Sequence, residues 1–145
     1  MQTRRQKVMA YVVRENARRR ELLVFEHRDH ADAGVQVPAG TVEPGEAIAA
    51  GLLREVEEEA GLSAGQVRLV GKLAETYEAE FDQQRHVFEL RPVSPLPDRW
   101  SHTVRGAGED TGMVFEYYWV PITPSLVLAG GQDRFLHLVR QGEAA

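Results

Sequence analysis

The sequence predicts one domain of the α/β (α+β) class over residues 1–145, with helices packed on a mixed β-sheet. Two observations favour this class. Apolar runs typical of strands alternate with segments of helical periodicity, in the order strands, helix, strands, helix. The chain has 145 residues, of which 43% are hydrophobic and 27% charged, and this suits a globular domain with its own core. Neither an internal repeat nor a domain linker is evident.

The first predicted elements are two buried strands that form a hairpin. Residues 8–13 and 22–26 are apolar runs of strand length. The polar segment 15–20 between them contains three consecutive arginines. This segment predicts a solvated turn, and a phosphate-binding patch is the alternative.

A loop and a helix follow the hairpin. Residues 34–45 contain three glycines and two prolines, so they predict a loop, with a short strand at 35–37. A helix is predicted from about residue 46 to residue 60. Gly61 follows it, at the position where the left-handed backbone that ends a helix is usual.

The second half of the chain predicts further strands and one more helix. Residues 92–112 are rich in Pro, Gly and charged residues and predict a long loop. The amphipathic segment 132–140 predicts a final helix. The predicted strands in this half are residues 67–76, 86–91 and 114–120.

The composition narrows the functions open to the chain. The net charge is −5 and the pI about 5.5, so no DNA binding is expected, and a cation would have to mediate contact with phosphates. The absence of cysteine excludes disulfides, a thiolate nucleophile and a cysteine-based zinc site. No signal peptide and no apolar stretch approaching the ~18 residues of a membrane span is found, which predicts a cytoplasmic protein without membrane contact.

The predicted helix carries a cluster of glutamates near its C-terminal end. At about 100° per residue, Glu55, Glu58 and Glu59 fall on one face, and Glu57 falls on the far side. Carboxylates gathered beside a core repel one another unless a cation lies between them, and Mg²⁺ or Mn²⁺ prefers such oxygen ligands. A solvated acidic face is the alternative. The apolar stripe beside the cluster consists of Ala49, Leu52, Leu53, Val56 and Ala60.

The spacing around this cluster is more specific than the cluster itself. Gly40 is followed after five residues by Glu46 and, after seven more, by the segment 54–62, which reads REVEEEAGL. This pattern resembles the box of the Nudix hydrolase family, G-x5-E-x7-R-E-U-x-E-E-x-G-U, in which U is aliphatic. All nine specified positions match across the 23 residues from Gly40 to Leu62.

The resemblance implies an α/β/α sandwich with a mixed sheet, in which the box forms a loop-helix-loop. It implies a pyrophosphohydrolase that depends on Mg²⁺ or Mn²⁺ and cleaves a phosphoanhydride bond in a nucleotide-type substrate. The expected substrate is a nucleoside di- or triphosphate, or a nucleoside diphosphate linked to a further group, dinucleoside polyphosphates included. A non-catalytic Nudix domain that senses a nucleotide is the alternative.

The resemblance also implies roles for the residues of the box. Arg54 would pair with the box glutamates and orient them for catalysis. The residues expected to hold the metal are Glu55, Glu58 and Glu59, the carbonyl of Ala39, and Glu46, which supports the cluster from the start of the helix. The first three of these are also expected to be catalytic.

A further catalytic carboxylate is expected outside the box. Glu116 resembles the glutamate that precedes an aromatic-rich strand in several family members. Glu109 and Asp110, in the preceding loop, are its rivals. An outward-facing strand residue is the plain alternative for Glu116.

Substrate contacts are predicted at residues outside the box. Tyr77 would stack on a base, and Arg28, Arg85 and His86 would contact phosphate. Each also has a plain structural alternative, as a sheet aromatic or a surface charge. Trp100, in the Pro-rich loop, would cover a base or pin the loop. A homodimer is possible, because members of the family are often dimers.

Overall fold

A mixed β-sheet forms the centre of the protein in the computed structural model, which describes residues 4–106 and 108–139. Its strands are β1 (Arg5–Asn16), β2 (Arg19–His27), β3 (Ala39–Thr41), β4 (Val67–Glu78), β5 (Gln83–Pro92), β6 (Arg99–Thr103) and β7 (Val114–Pro121). The α-helix α1 spans Ile48–Ala60, and 3₁₀ turns span Ala31–Ala33, Ala79–Phe81 and Ala129–Leu138. The strand order is β4-β5-β1-β2-β7-β6, and β3 pairs with β1 beside this path.

Strand β1 joins the two parts of the sheet. Its first eight residues pair in parallel with β5, and three of them also pair antiparallel with β3. From Val13 onward β1 pairs instead with β2, which continues antiparallel to β7. Strand β6 lies antiparallel at the far edge of β7. Because β1 changes partner, one end of it lies beside β3 and the other end beside β2.

Alternate residues of β1 pack on opposite faces of the sheet, as the period of a strand requires. On one face Val8, Ala10 and Val12 pack in a core that includes Leu52 and Val56 of α1. On the other face β1 packs in a second core with the C-terminal segment, through Met9, Tyr11, Val13, Leu128 and Leu136. The sheet therefore lies between α1 and the C-terminal 3₁₀ segment, which confirms the predicted mixed α+β class and layering.

The hairpin is confirmed, with strands longer than predicted. Strands β1 and β2 run to Asn16 and from Arg19, so the turn shrinks to Ala17 and Arg18, with φ of 50° and 70°. The strand expected at 35–37 is reduced to one bridge between Phe25 and Gln36. The neighbouring residues form β3 instead, because they reach the free edge of β1.

Two predictions for the second half of the chain are wrong. The loop expected at 92–112 contains β6, which pairs with β7 across ten intervening residues, and local patterns do not reveal this pairing. The helix expected at 132–140 is a run of 3₁₀ turns, Ala129–Leu138, and residue 140 lies outside the described residues. Tertiary bonds hold this run: Gln132 accepts from the Tyr11 hydroxyl and from the amide N–H of Val37.

Helix α1 begins at Ile48, two residues later than predicted, and ends at Ala60 as predicted. Gly61 ends it with a left-handed backbone (φ 77°), and its N–H donates to the carbonyl of Glu57. No helix in the described part of the chain is long and apolar enough to cross a membrane.

Candidate active site

Helix α1 presents the box residues along one edge of its core-facing side. Leu52, Val56 and Ala60 are buried, whereas Glu57 is exposed, as the helical angles predicted. The predicted apolar stripe is correct at these positions and at the partly buried Leu53, but Ala49 is exposed. Ala49 lies in the first turn, before the helix reaches the core.

Arg54 is the centre of the ionic contacts in the box. Its Nε and Nη2 donate to the two carboxylate oxygens of Glu46, at 2.8 and 3.0 Å. Its Nη1 donates to Glu55 Oε1 and to Glu58 Oε2, both at 3.0 Å. Nη2 also donates to the Thr41 carbonyl at 2.9 Å, which ties the helix to β3. The planar, multiply donating guanidinium thus fixes three carboxylates relative to one another.

Glu46 acts on the box through Arg54. Hydrogen bonds from Arg54 and from the N–H of Glu43 lower the pKa of Glu46 to about 2. Both oxygens of Glu46 therefore already have donors. The structure places Glu46 two residues before the helix, in contact with Arg54 and with the N–H of Glu43.

Glu59 has the most unusual carboxyl group of the box. Burial raises the pKa of Glu59 to about 8, and the charges of Glu55 and Asp110 act in the same direction. The N–H of Ala39 donates to Glu59 Oε1 at 3.2 Å. Burial also raises the pKa of Glu55. Desolvation and mutual repulsion thus disfavour the charged forms at the place where the resemblance implies a metal.

Gly40, the first residue of the box, is required by close packing. A Cβ built on it would lie 2.1 Å from the Glu55 carboxyl carbon, so a side chain there would displace the carboxylate. Gly40 lies on β3 opposite Val8 of β1. The glycine that begins the motif therefore allows β3 and α1 to come into direct contact.

Lys7 also lies beside the box, although no sequence pattern predicts it there. Its Nζ donates to Thr41 Oγ1 at 2.9 Å, next to the Arg54-bound carbonyl of the same residue. Burial lowers the pKa of Lys7, with Arg5 and Arg85 acting in the same direction, whereas the charges of Glu55 and Glu59 raise it. Lys7 was missed because it precedes an apolar run, where a single cation reads as a strand terminus.

The carboxylates outside the box divide between two places. Phe115 and Tyr117 pack in the α1 core, so Glu116 between them points to the opposite face of β7. The Glu116 carboxylate accepts from Arg28 Nε and Ser101 Oγ, which lower its pKa. The charge of Asp110 contributes to the raised pKa of Glu59, so Asp110 lies within electrostatic reach of the box.

The predicted substrate residues do not all converge. Tyr77 is 47% exposed on β4, with Arg4 over its ring at 4.3 Å, and its hydroxyl donates to Asp82. His86 is only 5% exposed and contacts Gln6. Arg85 pairs with Glu78 and is close enough to Lys7 to lower its pKa. Arg28 is paired with Glu116 on the far face of the sheet.

The donor set fits a hard divalent cation in its chemistry. The site offers carboxylate and carbonyl oxygens, which such a cation prefers. The pKa values of Glu55 and Glu59 are raised, so their charged forms are disfavoured, and a cation between them would stabilise those forms. As they stand, no three Asp, Glu or His side chains in residues 4–106 and 108–139 are arranged to hold a metal. Arg54 occupies one oxygen of Glu55 and one of Glu58.

Comparison with known proteins shows the family. The family model of the NUDIX domain matches residues 3–139. The chain belongs to the Nudix family. It is a hydrolase acting on phosphoanhydride bonds, in a family that acts on nucleotides and generally needs a divalent metal. No curated protein sequence matches this Nudix hydrolase.

Solved structures similar to this Nudix hydrolase share its fold at low sequence identity. A C. elegans Ap4A hydrolase in a binary complex has a TM-score of 0.55 and 17% identity, and the match covers 78% of this chain and 77% of that one. A NUDIX hydrolase from Nitrosomonas europaea gives 0.54 and 20%, covering 81% and 59%. RenU, a Nudix hydrolase from M. smegmatis, gives 0.57 and 16%, covering 83% and 73%.

Proposed function

We propose that the protein is a divalent-metal-dependent pyrophosphohydrolase. It cleaves a phosphoanhydride bond in a nucleoside di- or triphosphate, or in a nucleoside diphosphate linked to a further group. The observation that carries this proposal is the grouping of Glu55, Glu58 and Glu59 on one edge of α1, around Arg54 and beside Ala39. The grouping suits a reaction in which phosphate charge is neutralised and water is activated.

The three glutamates are the proposed metal ligands, with the Ala39 carbonyl beside them. When bound, Mg²⁺ or Mn²⁺ would polarise the phosphate oxygens and lower the pKa of a coordinated water. In the metal-free site burial raises the pKa of Glu59 to about 8, so a metal ion that binds Glu59 would displace a proton from it. We assign Glu46 to holding Arg54 in place, since a direct metal contact would cost it the bonds to Arg54.

The basic residues beside the box are the proposed phosphate contacts. Lys7 lies near Glu55 and Glu59 and carries a charge that a polyphosphate would stabilise. Arg85 shares that neighbourhood. His86 is too buried for direct contact as it stands, and Arg28 lies on the other face with Glu116. His86, Arg28 and Glu116 are therefore left out of the proposed mechanism.

The substrate class is proposed more narrowly as free nucleotides or dinucleoside polyphosphates. The exposed ring of Tyr77 supports a base contact, because an aromatic face stacks on any base. The name of one structural neighbour, the C. elegans Ap4A hydrolase, is a reason to include Ap4A in a first test. Cytoplasmic location and a homodimer stay predictions.

A nucleotide-sensing domain without turnover is the second candidate. The complete set of Glu55, Glu58 and Glu59 counts against it, since a domain that only binds a nucleotide does not need all the residues that would hold a catalytic metal.

A substrate panel distinguishes the two candidates. Nucleoside di- and triphosphates, dinucleoside polyphosphates and nucleotide sugars would be incubated with Mg²⁺ and then Mn²⁺, and the products separated by anion exchange. Glu58→Gln serves as the inactive variant and Glu57→Gln, exposed on the same helix, as its matched control. Turnover of one class that is lost only in Glu58→Gln supports the proposal. Binding of a nucleotide without product formation by the wild type would favour the sensor.

A further inference from the structure

The end of α1 is held by side chains from the sheet. An α-helix leaves its last four carbonyls without partners inside the helix. Here all four accept a hydrogen bond. The Glu57 carbonyl accepts from the N–H of Gly61. The other three belong to Glu58, Glu59 and Ala60, and each accepts from a side chain of β6 or β7.

The three side-chain bonds follow one another along the helix. His102 Nε2 lies 2.9 Å from the Glu58 carbonyl, Tyr117 Oη donates to the Glu59 carbonyl at 2.9 Å, and Trp100 Nε1 donates to the Ala60 carbonyl at 2.9 Å. A carbonyl only accepts, so the proton of the His102 ring lies on Nε2. The backbone N–H of Arg105 adds a second bond to the Glu58 carbonyl at 3.0 Å.

The spacing of these donors is fixed by the sheet. Trp100 and Tyr117 are partners in the β6–β7 register, and their rings stack 5.2 Å apart at 10°. Tyr117 is 1% exposed, so its ring has little freedom. His102 packs against Gly61, where an added Cβ would lie 2.7 Å from its Nδ1. The glycine that ends the box thus also makes room for one of the three donors.

We propose that Trp100, His102 and Tyr117 are positioning residues for the reaction, and this inference rests on the proposed function. Helix ends fray when their carbonyls are free. Two of the proposed metal ligands, Glu58 and Glu59, lie in the last turn of α1, and their own backbone carbonyls are the ones held. The three side chains therefore set the register of these carboxylates against the sheet without touching the substrate.

The test compares Tyr117→Phe with Tyr118→Phe. Each change removes one hydroxyl from adjacent residues of β7, but Tyr118 faces away from α1 and donates to Glu26. We expect Tyr117→Phe to lower kcat by on the order of tenfold, with little change in KM, because small displacements of catalytic groups have large kinetic effects. Mn²⁺ binding, followed by titration, weakens in Tyr117→Phe and not in Tyr118→Phe. Equal kcat and equal Mn²⁺ affinity in the two variants would overturn the proposal.

His102 supplies the second test. His102→Ala removes the donor, and we expect it to speed hydrogen exchange at the amides of residues 57–61 and to weaken Mn²⁺ binding. His102→Gln keeps an N–H of similar reach and restores both. A Gln variant that behaves as Ala does would contradict a positioning role. Hydrogen exchange and Mn²⁺ binding do not depend on turnover. They therefore show whether the three side chains position the end of α1, even if the wild type hydrolyses nothing and the proposed function fails.

Discussion

The buried Glu21 and Glu89 differ in their partners from the half-buried glutamates of the box. Roughly 20 Å along β1 from Lys7, the buried Glu21 accepts from Arg14 at 2.8 Å. Close by, the fully buried Glu89 accepts from Arg91 at 2.9 Å. At the box, by contrast, Arg54 faces four carboxylates at once: those of Glu43, Glu46, Glu55 and Glu58.

The difference lies in the balance of charge rather than in residue type. Away from the box each of these buried glutamates contacts a guanidinium directly, as burial of a charge requires, although Arg14 also pairs with Asp98 and Arg91 with Glu15. At the box Glu59 has a backbone N–H in place of a cation, and its pKa is raised to about 8. Carboxylates that outnumber the neighbouring cations are common at functional sites, where a bound ion or substrate supplies the missing charge. A divalent cation would restore the balance at the box.

The largest expected effect is on catalysis at the box, where the carboxylates outnumber the cations. Glu58→Gln should lower kcat/KM by about a thousandfold, since it removes a charged ligand from the reacting centre. Glu57→Gln, exposed on the same helix, should leave kcat/KM unchanged. Steady-state kinetics with the substrate found in the panel would check both. Comparable losses in the two variants would mean that the charge of the helix, rather than the position of Glu58, matters.

The second prediction compares Glu89, which lies away from the box, with Glu59 of the box by the free energy of unfolding. Glu89→Gln should lower the free energy of unfolding by about 3 kcal/mol, because it takes the carboxylate away from the buried guanidinium of Arg91. Glu59→Gln in metal-free buffer should leave it unchanged or raise it, because the charged form of Glu59 is disfavoured in the fold. Urea denaturation measures both. Equal destabilisation by the two changes would contradict the distinction between the paired Glu89 and the box glutamate Glu59.

Much of the box could be predicted from the sequence, because its parts are local. The 3.6-residue period placed Glu55, Glu58 and Glu59 together and Glu57 apart, and Gly61 marked the end of the helix. The surroundings of the box could not be predicted, since they depend on pairing between distant segments. Lys7 reaches the box because β1 pairs with β3, and Trp100 reaches α1 because β6 pairs with β7.

Lys7 offers a smaller test of the same comparison. Lys7→Met should raise KM by about tenfold and change kcat less, since a phosphate contact acts in binding. Lys72→Met is the matched control, because Lys72 pairs with Glu75 on β4. An unchanged KM in Lys7→Met would limit Lys7 to a structural bond with Thr41.

The smallest expected effect is a pH dependence of stability from His86. Burial lowers the pKa of His86 below its usual 6.5, so the fold favours the neutral ring. The unfolded chain then binds the proton more readily, and stability falls as the pH drops below about 6.5. Urea denaturation at pH 7.5 and 5.0 should show a smaller loss for His86→Gln than for the wild type. Equal losses would place the acid sensitivity elsewhere.

The most direct test of the unbalanced box is a Mn²⁺ titration without substrate, followed by calorimetry and by the electron paramagnetic resonance of free Mn²⁺. Wild type and Glu57→Gln should bind Mn²⁺ alike, and Glu58→Gln should bind it at least about tenfold more weakly. Binding should also raise the free energy of unfolding of the wild type. If the wild type binds no Mn²⁺, or if Glu58→Gln binds it as well as the wild type does, the box glutamates are not the metal site.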